Sequence, residues 1–349
     1  MSNRGLSISL TTLVAFPVEL FQGLFFSENK GNPFLVGGCS PSPRGWGIPS
    51  TIYTGGNPLL YNGIEMVWLS VLERKFYSVK YDFQVDKIKK LTELRDKETG
   101  RPVYEQMLVG FAPFGGLAIW LYGMKKSVPL AWLCAEETHV DMKDFRPLTP
   151  SVSLDEICDS YFYGNRKQNS DESLNMPMSN DLYNGFMQQF TYRYEVQFGH
   201  WDDDKKEWKG YEEDETKPEF DYVEEALFDG THDKLHDGGL MQYHQAGKPK
   251  KLALQWHIKK SDYSAYIWFD DMAIRAAFEQ FYYKYPEAKM DFTFHIDPGK
   301  KVFQLSLNCD ETEETMPLSE DSYQMIIFKS KFEYYRTANY NQPRGAWVW

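Results

Sequence analysis

The 349-residue sequence contains no run of 18 uninterrupted apolar residues, so no segment reads as a membrane-crossing helix. Cysteine is scarce. Cys39, Cys134, Cys158 and Cys309 are too few and too scattered for a disulfide framework, and none forms a CxxC pair. Free thiols are expected, with one disulfide left open because Cys134 and Cys309 close the two halves of an internal repeat described below. Positive charge is in deficit, 38 Lys and Arg against 50 Asp and Glu, which argues against binding of nucleic-acid phosphates. Local catalytic signatures are also missing. No GxxxxGK[ST] loop, GxSxG elbow or HExxH pair occurs, and Gly37-Gly38, Gly55-Gly56 and Gly115-Gly116 read as turns. No cofactor is expected. Because triads assemble in space, a hydrolase using His232, His236 or His257 with a carboxylate stands as a third functional reading.

A secretory leader is not apparent either. The apolar stretch Leu6 to Phe26 is interrupted by Pro17, Glu19 and Gln22, where a secretory core is unbroken. Val36-Gly37-Gly38-Cys39 imitates a lipidation box, but Glu28, Asn29, Lys30, Asn32 and Pro33 precede it, and it reads as a loop. The expectation is a cytoplasmic chain, or a periplasmic one if its amino terminus is cleaved.

What is present is ample core material, 42% hydrophobic and 16% aromatic, which sets the chain apart from disordered sequences. It is arranged in a repeated order. Phe16 to Gly23, Pro58, Glu65 to Trp68, Tyr81 to Phe83, Ile88, Gly115 to Leu121 and Cys134 to Thr138 follow one another in the first half. Tyr194 to Gly199, Pro249, Leu254 to Trp256, Trp268-Phe269, Ile274, Gly299 to Leu307 and Cys309 to Thr312 follow in the second. Residues 145–190 between them are polar and rich in Pro and Asn, as connections are.

Within each copy the pattern is mostly strand. Leu252, Leu254, Trp256 and Ile258 alternate with Lys251, Ala253, Gln255 and His257, as a sheet buried on one face requires. One helix is expected per copy: Lys87 to Arg95 capped by Asp86, and Met272 to Tyr285 capped by Asp270 or Asp271 and stopped by Pro286. The fold class is therefore α+β, two tandem duplicated modules, each a mainly antiparallel β-sheet with one packed helix. The domains are a first module over 1–150, a polar linker over 151–189, and a diverged second copy over 190–349 carrying an acidic insertion.

Pro58, Glu65-Met66-Val67-Trp68 with Phe76-Tyr77, and Tyr104 through Gly115-Gly116 and Trp120 to Gly123, with Gly45-Trp46-Gly47 upstream, give the first copy its resemblance to the bacterial domain-of-unknown-function family 2931. The resemblance spans about 16–150, with a weaker echo over 190–335. It implies kinship with small envelope lipoproteins without an assigned activity, some similar proteins being immunity proteins beside type VI secretion effectors. It supplies no catalytic residues.

Two constellations remain. His232 and His236, at i and i+4 with His244 beyond, would share a helical face as zinc ligands do, although Gly230 and Gly238-Gly239 leave little room for a helix. From Trp201 to Glu225, twelve carboxylates stand against four lysines among Trp201, Trp208, Tyr211, Phe220 and Tyr222. The spacing does not fit an EF-hand calcium loop. A solvated hairpin with Asp-rich turns accounts for much of this segment. Read functionally, Asp202, Asp203, Asp204, Glu212, Glu213, Asp214 and Glu215 would steer a basic partner and Trp201, Trp208 and Tyr211 would anchor it. The leading expectation is a non-enzymatic immunity-type inhibitor of a secreted toxin with a basic surface. The alternative is an envelope protein that binds carbohydrate or a small ligand through exposed aromatics.

Overall fold

A computed structural model describes residues 6–13, 16–27, 33–36, 46–49, 51–53, 60–165, 184–213, 215–236, 240–298, 302–312, 314–329 and 333–336. Strand accounts for 52% and helix for 15%, in mostly antiparallel sheets. Two compact units lie within 1–184 and 185–346. The lipidation-like Gly37 to Cys39, Asp214, and residues 166–183 of the polar connection fall outside the described residues.

The first unit runs β1 (Ser7–Thr12), β2 (Val18–Ser27), β3 (Phe34–Val36), β4 (Thr51–Tyr53), β5 (Tyr61–Ser70), β6 (Lys75–Asp82), α1 (Val85–Thr92), β7 (Gln106–Phe111), β8 (Gly116–Tyr122), β9 (Ser127–Cys134), β10 (Glu136–Thr138), α2 (Met142–Phe145) and α3 (Leu154–Asn165). Its strands form two five-stranded sheets, ordered β4-β1-β7-β8-β9 and β10-β6-β5-β2-β3. All pairs are antiparallel except β1 with β7. One sheet per module was expected and two are found, because alternation reports one buried face per strand without saying what covers it. Here the cover is the other sheet. One core cluster draws Ile8, Leu10, Val109 and Phe111 from the first sheet and Leu20, Met66 and Trp68 from the second. Trp68 meets Phe111 across the two, ring centroids 5.2 Å apart.

Helix α1 begins earlier than expected, after Gln84, with no side-chain cap bond. Asp86 instead lies in its first turn, where a negative charge favours the positive end of the helix dipole. Ile88 is buried as the spacing requires. The expected linker is also partly structured. Ser153 and Glu156 cap α3 reciprocally, at 2.8 Å (Ser153 N–H to Glu156 Oε2) and 3.2 Å (Glu156 N–H to Ser153 Oγ). Phe145, Ile157 and Cys158 then pack on Leu69, Val71 and Phe76, covering the outer face of the second sheet at one end.

The second unit runs β11 (Phe190–Phe198), β12 (His200–Asp202), β13 (Glu207–Lys209), β14 (Glu219–Leu227), β15 (His232–Leu235), β16 (His244–Ala246), β17 (Pro249–Ile258), β18 (Ser261–Phe269), α4 (Asp271–Lys284), β19 (Met290–Asp297), β20 (Val302–Cys309), β21 (Thr315–Pro317), β22 (Tyr323–Lys329) and β23 (Glu333–Arg336). Its sheets are ordered β16-β11-β19-β20-β21 and β15-β14-β17-β18-β22-β23, with β12-β13 as a separate hairpin. Again one pair is parallel, β11 with β19. Helix α4 is capped by Asp270, whose Oδ1 accepts the Ala273 N–H at 2.9 Å, and buries Ile274, Phe278 and Phe281. Trp256 fills the core against Phe198, centroids 5.8 Å apart.

Cys134, Cys158 and Cys309 are free thiols. Cys134 closes β9 opposite Gly116, whereas Cys309 closes β20 opposite Met290, so the two do not hold related places. Among the described residues no helix is long and apolar enough to cross a membrane.

Candidate functional site

The acidic segment begins as the hairpin β12-β13. Asp202 builds its turn: Oδ1 accepts the N–H groups of Asp204 (3.0 Å) and Lys205 (3.1 Å), and its carbonyl accepts the Lys206 N–H at 2.8 Å. Lys206 adopts the left-handed conformation that such a turn needs (φ 56°). Lys209 donates to Asp202 Oδ2 at 2.5 Å, and with the turn's N–H groups it holds that carboxyl down at about 2. Asp202 is thus committed to the turn. Asp203 and Asp204 are exposed.

The aromatic residues turn the other way. Trp201 stands opposite Trp208, centroids 5.4 Å apart, and both are half-buried. Trp208 stacks on His295 of β19 at 5.4 Å and donates Nε1–H to Gln304 of β20 at 2.8 Å. The Trp201 N–H donates to buried Asp297 at 2.8 Å. The hairpin is therefore laid on its own sheet. Tyr211 packs on His200 at 4.4 Å, and burial pushes its hydroxyl up to about 12. Glu215 accepts the Glu212 N–H at 2.8 Å and faces His200 at 3.2 Å, contacts that lower its pKa, the backbone bond most. Glu212 and Glu213 are exposed.

Beyond the hairpin, β14 opens with Glu219 and Asp221. His257 of β17 lies between them, Nδ1 3.0 Å from Asp221 and Nε2 3.3 Å from Glu219, while Asp262 faces it from β18. The hydrogen bond to Asp221 raises the His257 pKa. Of the three histidines offered for a spatially assembled site, His257 thus meets carboxylates; which ones is not legible in the sequence, because the members come from three strands.

The three candidate metal ligands are not brought together. His232 lies in β15 opposite Ala226, on a strand rather than the helix its i, i+4 spacing suggested. His236 follows that strand with its ring 5.3 Å from Tyr222, and His244 lies in β16, in the other sheet. Among the described residues no group of three His, Cys, Asp or Glu is arranged to hold a metal. His244 instead joins a buried network. Tyr194 donates to Glu225 at 2.6 Å, Tyr192 donates to the Gly247 carbonyl at 2.8 Å, and His244 Nε2 lies 3.8 Å from Glu225. Two tyrosines at alternate positions of one strand were the sequence signal, since buried hydroxyls need partners.

The arrangement presents carboxylates outward and aromatic rings inward at one stretch of chain. The field of such a surface is negative. No curated protein and no solved structure matches this chain. Residues 7–177, which hold the strands and helices given above for the first unit, match the family model described as protein of unknown function (DUF2931), and this segment belongs to that family.

Proposed function

We propose that the chain is a non-enzymatic protein-binding molecule whose second unit captures a basic partner, in the manner of an immunity-type inhibitor of a secreted (type VI) toxin. The observation that carries this reading is the division of labour in the acidic segment. Its rings are spent on its own sheet, and what faces solvent is charge. Asp203, Asp204, Glu212 and Glu213 would then act by steering, which speeds encounter more than it tightens the complex.

The proposal includes two copies of one module. Both units pair their strands in the same order, with one parallel pair each in the corresponding place. Register shifts also recur: after the residue facing the buried tryptophan (Leu20 opposite Trp68, Phe220 opposite Trp256), and again before Ser27 and Leu227. By strand position Phe16 to Gly23 corresponds to β14, not to Tyr194 to Gly199. The acidic hairpin then stands where the first unit has only the short connection between β1 and β2.

The alternative, an envelope protein for carbohydrate or a small ligand, would use exposed stacked rings. Tyr266 and Trp268 do stack at 6.2 Å, but Lys251 lies over both, at 5.2 and 5.6 Å, and both rings are half-buried. The test is affinity capture from the source strain followed by association kinetics with the captured partner. Charge reversal at Asp203 and Asp204 should slow association about tenfold or more at low salt and little at high salt. An unchanged on-rate removes the acidic segment from the reading.

A further inference from the structure

Glu19 and Glu219 hold the same place in their sheets. Each precedes the residue that faces the buried tryptophan, and each pairs with the residue after that tryptophan, Leu69 in one unit and His257 in the other. In the first unit Glu19 is buried and receives both guanidinium nitrogens of Arg146, at 2.6 and 2.5 Å, and the Tyr161 hydroxyl at 2.8 Å. Arg146 directly follows α2 and Tyr161 lies in α3, so this carboxylate anchors the helical cover of the outer sheet face. Around it Phe21 and Phe76 press on Phe145, at 5.8 and 5.0 Å.

In the second unit the same positions are differently filled. Asp221 stands at the bulge of Phe21, His257 at the place of Leu69 and Asp262 at that of Phe76. The Glu219 side chain is 77% exposed, and among the described residues its ionic contact is His257. The carboxylate that receives an arginine in one unit faces solvent in the other, on a face whose apolar floor has become acidic.

We propose that this outer face of the second unit docks an arginine-bearing helix of a partner protein, Glu219 accepting the guanidinium as Glu19 accepts Arg146. Asp221 and Asp262 select a basic helix where the first unit selects an apolar one. A bidentate carboxylate–guanidinium pair fixes orientation as well as charge, which a lysine cannot reproduce. The inference rests on the protein-binding reading and on the correspondence between the units.

The probe is an 18-residue alanine-based helical peptide with arginine at every fourth position, titrated into the full chain and followed by fluorescence anisotropy at low salt. The same peptide with lysine for arginine is the matched-charge control. The arginine peptide should bind about tenfold more tightly than the lysine peptide and shift the His257 ring resonance. Glu219→Gln should abolish that preference, whereas Asp203→Asn with Asp204→Asn should leave it intact. Near-ultraviolet circular dichroism checks that both variants are folded. Equal affinity of the two peptides, or a preference that survives Glu219→Gln, overturns the inference. If binding is equal and is lost on changing Asp203 and Asp204, the hairpin is the docking surface and the protein-binding reading stands; if neither peptide binds, both fall.

Discussion

Trp68 faces Tyr77 across the β5-β6 hairpin, their ring centroids 5.9 Å apart. Trp256 faces Tyr263 across β17-β18 at 5.8 Å. The tryptophans lie two residues before the last paired residues of their strands, Ser70 and Ile258, and the turns that follow differ by two residues. That difference accounts for the separation between each tryptophan and its helical isoleucine, Ile88 or Ile274, being longer by two in the first half. Trp68 is fully buried and touches Phe111 of the facing sheet as well. Trp68→Ala should therefore cost about 3–5 kcal/mol, with Trp68→Phe costing markedly less. Urea denaturation followed by circular dichroism measures both, and a loss below about 1 kcal/mol for the alanine variant would contradict the packing described.

Asp271 and Lys248 give the second unit a distinctive pH response. Burial pushes the Asp271 carboxyl up to about 6, against the opposing pull of Lys248 and Arg275, and burial pulls Lys248 down to about 8. A carboxyl raised on folding contributes stability that is complete below its unfolded pKa, near 4, and is lost as pH climbs through 6. A lowered lysine contributes stability that is complete above about 10.5 and is lost as pH falls through 8. The two groups together therefore contribute least between pH 6 and 8. The Asp271 limb amounts to about 3 kcal/mol. Burial also pulls Lys250 down to about 8, lowers Lys251 and raises Asp229. Asp271→Asn should therefore reduce the change in urea midpoint between pH 4 and 6, and Lys248→Met the change between pH 8 and 10.5, without abolishing either; an unaltered profile in either variant refutes that assignment.

Arg146 ties the end of α2 to β2 through Glu19, and Arg74 ties α3 to the β5-β6 turn through Asp155 and Asp159, both at 2.6 Å. The second tie is exposed and contributes little. Arg146→Ala leaves Glu19 buried beside only the Tyr161 hydroxyl and should cost about 3 kcal/mol, mostly as local release of α2 and α3. Hydrogen exchange should show early loss of protection in 142–161 while β5 and β7 remain protected. Arg74→Ala should leave that pattern unchanged.

The strands and α4 were legible because their signals are local. Leu252, Leu254 and Trp256 declare a buried face, and Asp270 with Pro286 brackets a helix. The parallel pairs were not legible, since β1 meets β7 only after the chain has built most of the other sheet. Helix α3 begins inside the expected linker: Ser153 and Glu156 spell its capping box, but the polar residues that follow carry the texture of a connection. From the sequence alone, Trp201 and Trp208 read as anchors for a partner. Their spacing around an Asp-rich turn also fits a cross-strand pair, and only the position of His295 and Gln304 shows which face they cover. Which carboxylates surround His257 was not legible, since Asp221, His257 and Asp262 become neighbours only through strand register.

The roles of rings and charges in the hairpin can be separated by substitution. Trp208 bridges Trp201, His295 and Gln304, so Trp208→Ala removes the stacking and the hydrogen bond that lay the hairpin on β19 and β20. Cross-strand and stacked aromatic pairs contribute about 0.5–1.5 kcal/mol beyond their buried area, so a loss of about 2 kcal/mol is expected. Limited proteolysis should then cut faster at Lys205 or Lys206, which are exposed in the turn of this hairpin. Asp203→Lys with Asp204→Lys should instead leave stability within about 0.5 kcal/mol, because both residues are exposed. If the charge variant destabilises as much as the tryptophan variant, the carboxylates belong to the fold and the case for a surface reserved for a partner is lost.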